Sequence, residues 1–151
     1  MKTKSLLSLL GLITMFVFSA NINAQTTDGQ VSPKVDGQIN PRLYIVTQSS
    51  ATCTVCTENT TRWQTDIRSQ YASDPSVIFI DYDLTDDNSM AKTRADLDRY
   101  GIYNSMTSYN TPGSVILIDP VTKQVVGTTS MSSSTQDILK SINSGSPSTT
   151  K

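Results

Sequence analysis

Between Leu43 and Tyr71 the chain changes period, and the change falls on its only two cysteines. Leu43-Tyr44-Ile45-Val46 is too short an apolar run for a helix and is followed by the polar turn Thr47-Gln48-Ser49-Ser50-Ala51-Thr52, so it reads as a buried strand. Beyond the turn, Trp63, Ile67 and Tyr71 recur every four residues and align with Cys56, while Glu58, Arg62, Asp66 and Arg68 fall on other faces. Cys53-Thr54-Val55-Cys56 therefore sits where a strand becomes a helix. Thr52 or Ser50 is available as N-cap, and Glu58 stands four residues before Arg62, the favourable order for a helical ion pair.

A thiol in the first turn of a helix faces unpaired backbone N–H groups and the positive end of the helix dipole, which favour thiolate. Cys53 is then the exposed, activated sulfur and Cys56, one turn in, the buried one that resolves a mixed disulfide. Two other uses of the pair stand beside this one. As a structural staple a four-residue loop contributes only about 2 kcal/mol, against about 3 for a loop of fifteen. A zinc site needs four ligands, and with no histidine and no third cysteine only carboxylates are left to complete it. No metal or other cofactor is expected. Asp81, Asp83, Asp86 and Asp87 precede a helix, where acidic residues act as caps.

The chain opens with Met1-Lys2-Thr3-Lys4, then an apolar stretch from Ser5 to Ala20, then Asn21-Ile22-Asn23-Ala24. This is the layout of a secretory signal peptide over residues 1–24, too short in its apolar part for a spanning helix of about 20 residues. Removing Lys2 and Lys4 with it leaves ten basic residues against thirteen acidic ones, a net charge of −3. Mild acidity without a basic cluster excludes nucleic acid and anionic membrane as expected partners. Export, with a periplasmic destination first and secretion second, places the cysteines where disulfide chemistry is the expected use. Residues 25–42 are polar and aperiodic and read as a flexible lead-in, and residues 145–151 as a small, polar, disordered tail.

Between these lies one domain, residues 43–144. Val77-Ile78-Phe79-Ile80 is a second buried-strand pattern, so strand, helix and strand form a βαβ unit with parallel strands. Met90 to Tyr100 is helical with Met90, Leu97 and Tyr100 inward, capped before by Thr85 to Ser89 and after by Gly101. Ser114 to Ile118 and Gln124 to Thr129 pair as an antiparallel hairpin across a Pro-containing turn. Ser134 with Asp137 opens a last helix, with Ile138, Leu139 and Ile142 inward.

From Leu43 to about Asn143 this order resembles the thioredoxin-like superfamily. The likeness rests on Cys53-Thr54-Val55-Cys56 at the junction, the Tyr100-Gly101-Ile102 ending, the Thr111-Pro112 step, and the closing hairpin and helix. It implies an α/β fold with a central mixed sheet of about four strands flanked by helices. It also implies Pro112 as a cis-proline packed beside the disulfide, and Thr111 as a backbone partner for an extended substrate segment. Thioredoxins proper carry Trp before the first cysteine, Gly-Pro between the two, and a buried Asp that accepts the second one's proton. Here those places hold Thr52, Thr54-Val55 and Thr47. The segment from Tyr103 to Asn110 is longer than usual before the proline and is placed to form a lip over the site.

The expected activity is that of an exported, monomeric thiol–disulfide oxidoreductase acting on protein substrates, with Cys53 and Cys56 catalytic and an unidentified redox partner. The alternative is a thioredoxin-like binding module that keeps an inert disulfide.

Overall fold

A computed structural model of the chain describes residues 40–145. The expected signal peptide, and most of the expected lead-in and tail, lie outside the described residues.

Four strands form one mixed sheet in the order β2-β1-β3-β4: β1 (Leu43–Ser49), β2 (Val77–Asp83), β3 (Ser114–Ile118) and β4 (Val125–Ser130). The β1–β2 pair is parallel, running in register from Leu43 against Val77 to Ser49 against Asp83, as a βαβ unit requires. Strand β3 lies antiparallel to β1 and to β4, and the hairpin carries an irregularity between Leu117 and Ile118. The two central strands, β1 and β3, are the most continuously apolar segments, because both of their faces are covered. Leu43, Ile45, Val115 and Leu117 pack on one side with Trp63, Ile67, Ile138 and Ile142. Tyr44, Val46, Ile116 and Ile118 pack on the other with Leu97, Ile102 and Met106.

Helix α1 (Thr54–Arg62) does not run straight to Tyr71 as its periodicity predicts. It widens into a π-helical turn at Trp63–Ile67, where the Arg68 N–H reaches the carbonyls of Trp63 and Gln64, and tightens into a 3-10 turn at Arg68–Tyr71. Trp63 and Ile67 both remain buried, and Trp63 meets Phe79 edge-on at 6.1 Å between ring centres. Helix α2 (Asp87–Arg99) is capped by the Asp86 side chain on Ser89 N–H, and Gly101 follows it at φ +67°. A one-turn helix, α3 (Tyr103–Met106), occupies the polar segment; its buried Met106 seats it on the α2 side. Helix α4 (Thr135–Ser144) starts at Ser134, whose hydroxyl accepts from Asp137 N–H.

The Glu58–Arg62 ion pair expected on α1 does not form. Arg62 turns instead across the fold, donating to Asn59 Oδ1, to Thr135 Oγ1 at 3.1 Å and to the Met131 carbonyl. A half-buried guanidinium gains more from several fixed acceptors, one of them a carbonyl, than from one exposed carboxylate.

Candidate functional site: the disulfide at the β1–α1 junction

Cys53 and Cys56 are joined in a disulfide with a Cα–Cα distance of 5.2 Å. The N-cap of α1 is Cys53 itself, not Thr52 or Ser50. Its backbone is extended at φ −82°, ψ 96°, its carbonyl accepts the Thr57 N–H at 3.1 Å, and its Sγ accepts the Cys56 N–H at 3.0 Å. The sulfur thus takes the place that a serine or aspartate oxygen takes in an ordinary N-cap. The loop before it is held at both ends, by Cys53 N–H on the Ser50 carbonyl and by Ala51 N–H on Thr85 Oγ1 from the β2–α2 connection.

Both cysteines are more covered than the sequence predicts for a reactive pair: Cys53 is 9% exposed and Cys56 6%. Both cysteines belong to the core cluster on the α1 side of the sheet, and the turn Thr111-Pro112-Gly113-Ser114, closed by Ser114 N–H on the Thr111 carbonyl at 3.1 Å, lies against Cys53. Here the cis-proline expectation is corrected, since no cis peptide bond occurs among the described residues. A trans Pro112 at the second position and Gly113 at φ +88° at the third satisfy the turn without a cis bond.

Gly113, not singled out by the sequence, is the residue drawn against the disulfide. A methyl added there would stand 3.7 Å from Cys53 Sγ and 3.2 Å from Val55 Cγ1. Its N–H donates to the Gln48 carbonyl and its carbonyl accepts from Met131 N–H, each at 2.8 Å. Thr111 and Pro112 lie exposed on the same turn.

Gln48, fully buried, is a second residue the sequence did not mark. Its carbonyl oxygen accepts from Gly113 and lies 3.7 Å from Cys56 Sγ, while its side-chain amide donates to the Tyr109 carbonyl at 2.7 Å. One residue at the end of β1 therefore ties together the Cys56 sulfur, the Thr111–Ser114 turn and the Tyr103 to Asn110 segment. The only signal for it in the sequence is its place in the strand's period, on the same face as Tyr44 and Val46. Beside it Thr47, 5% exposed, occupies a buried position with no hydrogen-bond partner for its hydroxyl. Among the described residues no group of three or more Cys, His, Asp or Glu is placed to hold a metal ion.

No protein-family model and no curated protein matches the sequence. Solved structures do. The chain is similar to a Fasciola hepatica thioredoxin, at 14% identity over 71% of this chain and 84% of that one, with a TM-score of 0.46. It is similar to a thioredoxin-like protein from Porphyromonas gingivalis, at 13% identity over 70% and 76% of the two chains, with a TM-score of 0.44. These likenesses concern the backbone alone. Strand order, strand directions and the position of the Cys-x-x-Cys disulfide at the end of β1 make this a thioredoxin-like fold.

Proposed function

We propose that this chain is an exported thiol–disulfide oxidoreductase that exchanges disulfides with protein substrates. The observation that carries the reading is Cys53 Sγ at the N-cap of α1, receiving a backbone N–H. Once the disulfide is reduced, that donor and the helix dipole stabilise a thiolate at Cys53. The thiolate attacks one sulfur of a substrate disulfide, forming a mixed disulfide and expelling the other sulfur as a thiolate. Cys56 then attacks Cys53, closes the internal disulfide and releases the second substrate sulfur. Two electrons pass from the cysteine pair to the substrate; run backwards, the same steps oxidise a dithiol.

Low exposure of both cysteines, and Thr47 in place of a carboxylate, favour the competing reading of a binding module with an inert disulfide. Reduction of insulin with dithiothreitol separates the two: turnover above the uncatalysed rate is expected, and its absence leaves the module. Expressing Cys56→Ser in the native compartment should accumulate covalent adducts at Cys53 and identify the substrates. Recovery of the variant from the cytoplasm with residues 1–24 still attached would remove export from the reading.

A further inference from the structure

Gln48 is the last fully buried residue of β1, and its side chain points to the same face of the sheet as Tyr44 and Val46. Val46 asks for no hydrogen bond there, whereas a buried amide does. Gln48 meets that demand only in part: Nε2 donates to the Tyr109 carbonyl at 2.7 Å, while Oε1 has no partner among the described residues. An apolar side chain of the same length would avoid the orphaned oxygen. What the glutamine adds over such a side chain is its one bond to the loop.

The same residue holds the loop a second time through its backbone. The Gln48 carbonyl accepts the Gly113 N–H at 2.8 Å, so one position on a central strand grips the chain at Tyr109 and again at Gly113. Between the two grips lie Asn110, Thr111 and Pro112, all exposed. The Thr111 carbonyl is taken by the turn to Ser114, but among the described residues nothing bonds the Asn110 and Thr111 N–H groups or the Asn110 and Pro112 carbonyls. Gly113, which ends this stretch, is the residue drawn against Cys53. A polypeptide that brings a disulfide to Cys53 therefore meets a row of free backbone donors and acceptors, the pattern that pairs with an extended chain. A stretch gripped at both ends loses less conformational freedom on pairing than one held at a single end.

We infer that Gln48 is a positioning residue that gives the exchange reaction a preference for polypeptide disulfides, by presenting Asn110-Thr111-Pro112 in the shape that pairs with an extended substrate. The inference rests on the exchange reaction proposed above and adds the residue that selects its substrate class. The Gln48 side chain lies on the face of the sheet opposite to the core in which Cys53 and Cys56 pack. Removing its amide therefore acts on binding of the substrate chain and leaves the sulfur chemistry in place.

The test compares two disulfides on the full-length protein: insulin, a polypeptide, and dithiobis(nitrobenzoate), which has no peptide backbone. Gln48→Met keeps the length of the side chain and loses the donor. Its KM for insulin should rise about fivefold or more with kcat within about twofold of wild type, as expected for one hydrogen bond whose effect is felt on binding. Its rate with dithiobis(nitrobenzoate) should stay within about twofold of wild type. Gln48→Glu supplies a rescue, because a buried carboxyl stays protonated above its ordinary range and then donates one hydrogen bond. At pH 6 its insulin KM should match wild type at the same pH, and at about pH 8 it should approach that of Gln48→Met. Should Gln48→Met not fold, as read by urea unfolding, the two Gln48→Glu measurements carry the test alone. Equal slowing with both disulfides assigns Gln48 to the fold and overturns the inference. An insulin KM unchanged in Gln48→Met, or one that does not move with pH in Gln48→Glu, overturns it as well; each of these leaves the exchange reaction standing. No exchange by the wild type with either disulfide removes both.

Discussion

The backbone N–H of Cys56 donates to the Sγ of Cys53 at 3.0 Å, so the first cysteine is both one end of the disulfide and the cap of the helix that follows. Reduction leaves that N–H facing a free sulfur, and the sulfur's anion satisfies it better than its thiol. In the reduced protein Cys53 should titrate below the free-thiol value of about 8.5, read by thiolate absorbance. The cap also has a stability consequence. Reduced Cys53→Ala should lose about 1 kcal/mol against reduced wild type in urea, while Cys53→Ser, which keeps an acceptor, should lose less than half of that. Equal losses would mean that the sulfur does not act as a cap.

Gly113 and Gly101 both hold positive φ, at +88° and +67°, but only one of them is crowded. Gly101→Ala meets nothing within 4 Å and should cost about 1 kcal/mol from backbone strain alone. Gly113→Ala adds a methyl 3.2 Å from Val55 Cγ1 and should cost more, about 2 kcal/mol. Since that methyl also abuts Cys53, the alanine variant should slow attack on a bulky disulfide more than on a small one. Comparing insulin with oxidised glutathione reads this directly, and equal slowing of both would separate the turn from substrate access.

Arg62 and Glu58 make a matched pair of tests. Glu58→Ala removes an exposed carboxylate that takes no part in an ion pair with Arg62 and should stay within about 0.5 kcal/mol of wild type. Arg62→Ala releases the Met131 carbonyl and Thr135 together and should cost about 1–2 kcal/mol, measured by thermal or urea unfolding. A double mutant whose loss is the sum of the single losses would confirm that the two residues are uncoupled.

Acid should weaken the fold partly through Asp119, a buried carboxylate that organises the β3–β4 turn. Its Oδ1 accepts the N–H groups of Thr122 and Val121 at 3.0 and 2.7 Å. The Thr122 bond, opposed by burial and reinforced by Val121, holds the carboxyl below its ordinary value of 3.8. A folded-state value lowered in this way adds stability that is fully present above the ordinary value. That stability is lost as pH falls below it and through the lower folded value. Asp119→Ala should therefore be less stable than wild type by about 2 kcal/mol at pH 7, with the gap narrowing below about pH 3.8. A gap of constant size from pH 7 to pH 2 would assign the loss to packing.

Local signals carried most of the architecture. The two central strands announce themselves as continuous apolar runs because a strand covered on both faces has no polar side to show. Asp86 and Ser134 announce their helices because capping is chemistry between residues three apart in sequence. The widened turn at Trp63–Ile67 was not legible, because apolar residues every four positions suit an α-helix nearly as well. The cis-proline expectation failed for a related reason. Thr111-Pro112 is compatible with either isomer, and it is Gly113, supplying a positive φ at the next position, that makes the trans turn sufficient.

Order and type of the four strands and of the three longer helices, and the cysteine pair where a strand becomes a helix, follow from the linear chain, because hydrophobic period and capping act over a few residues. What surrounds that pair was decided only in three dimensions. Gly113 against Cys53, Gln48 joining turn and sulfur, and Arg62 turned to Met131 all depend on strand register and on contacts across the sheet. A residue's partner at long range is set by how the whole core packs, and no local pattern encodes that.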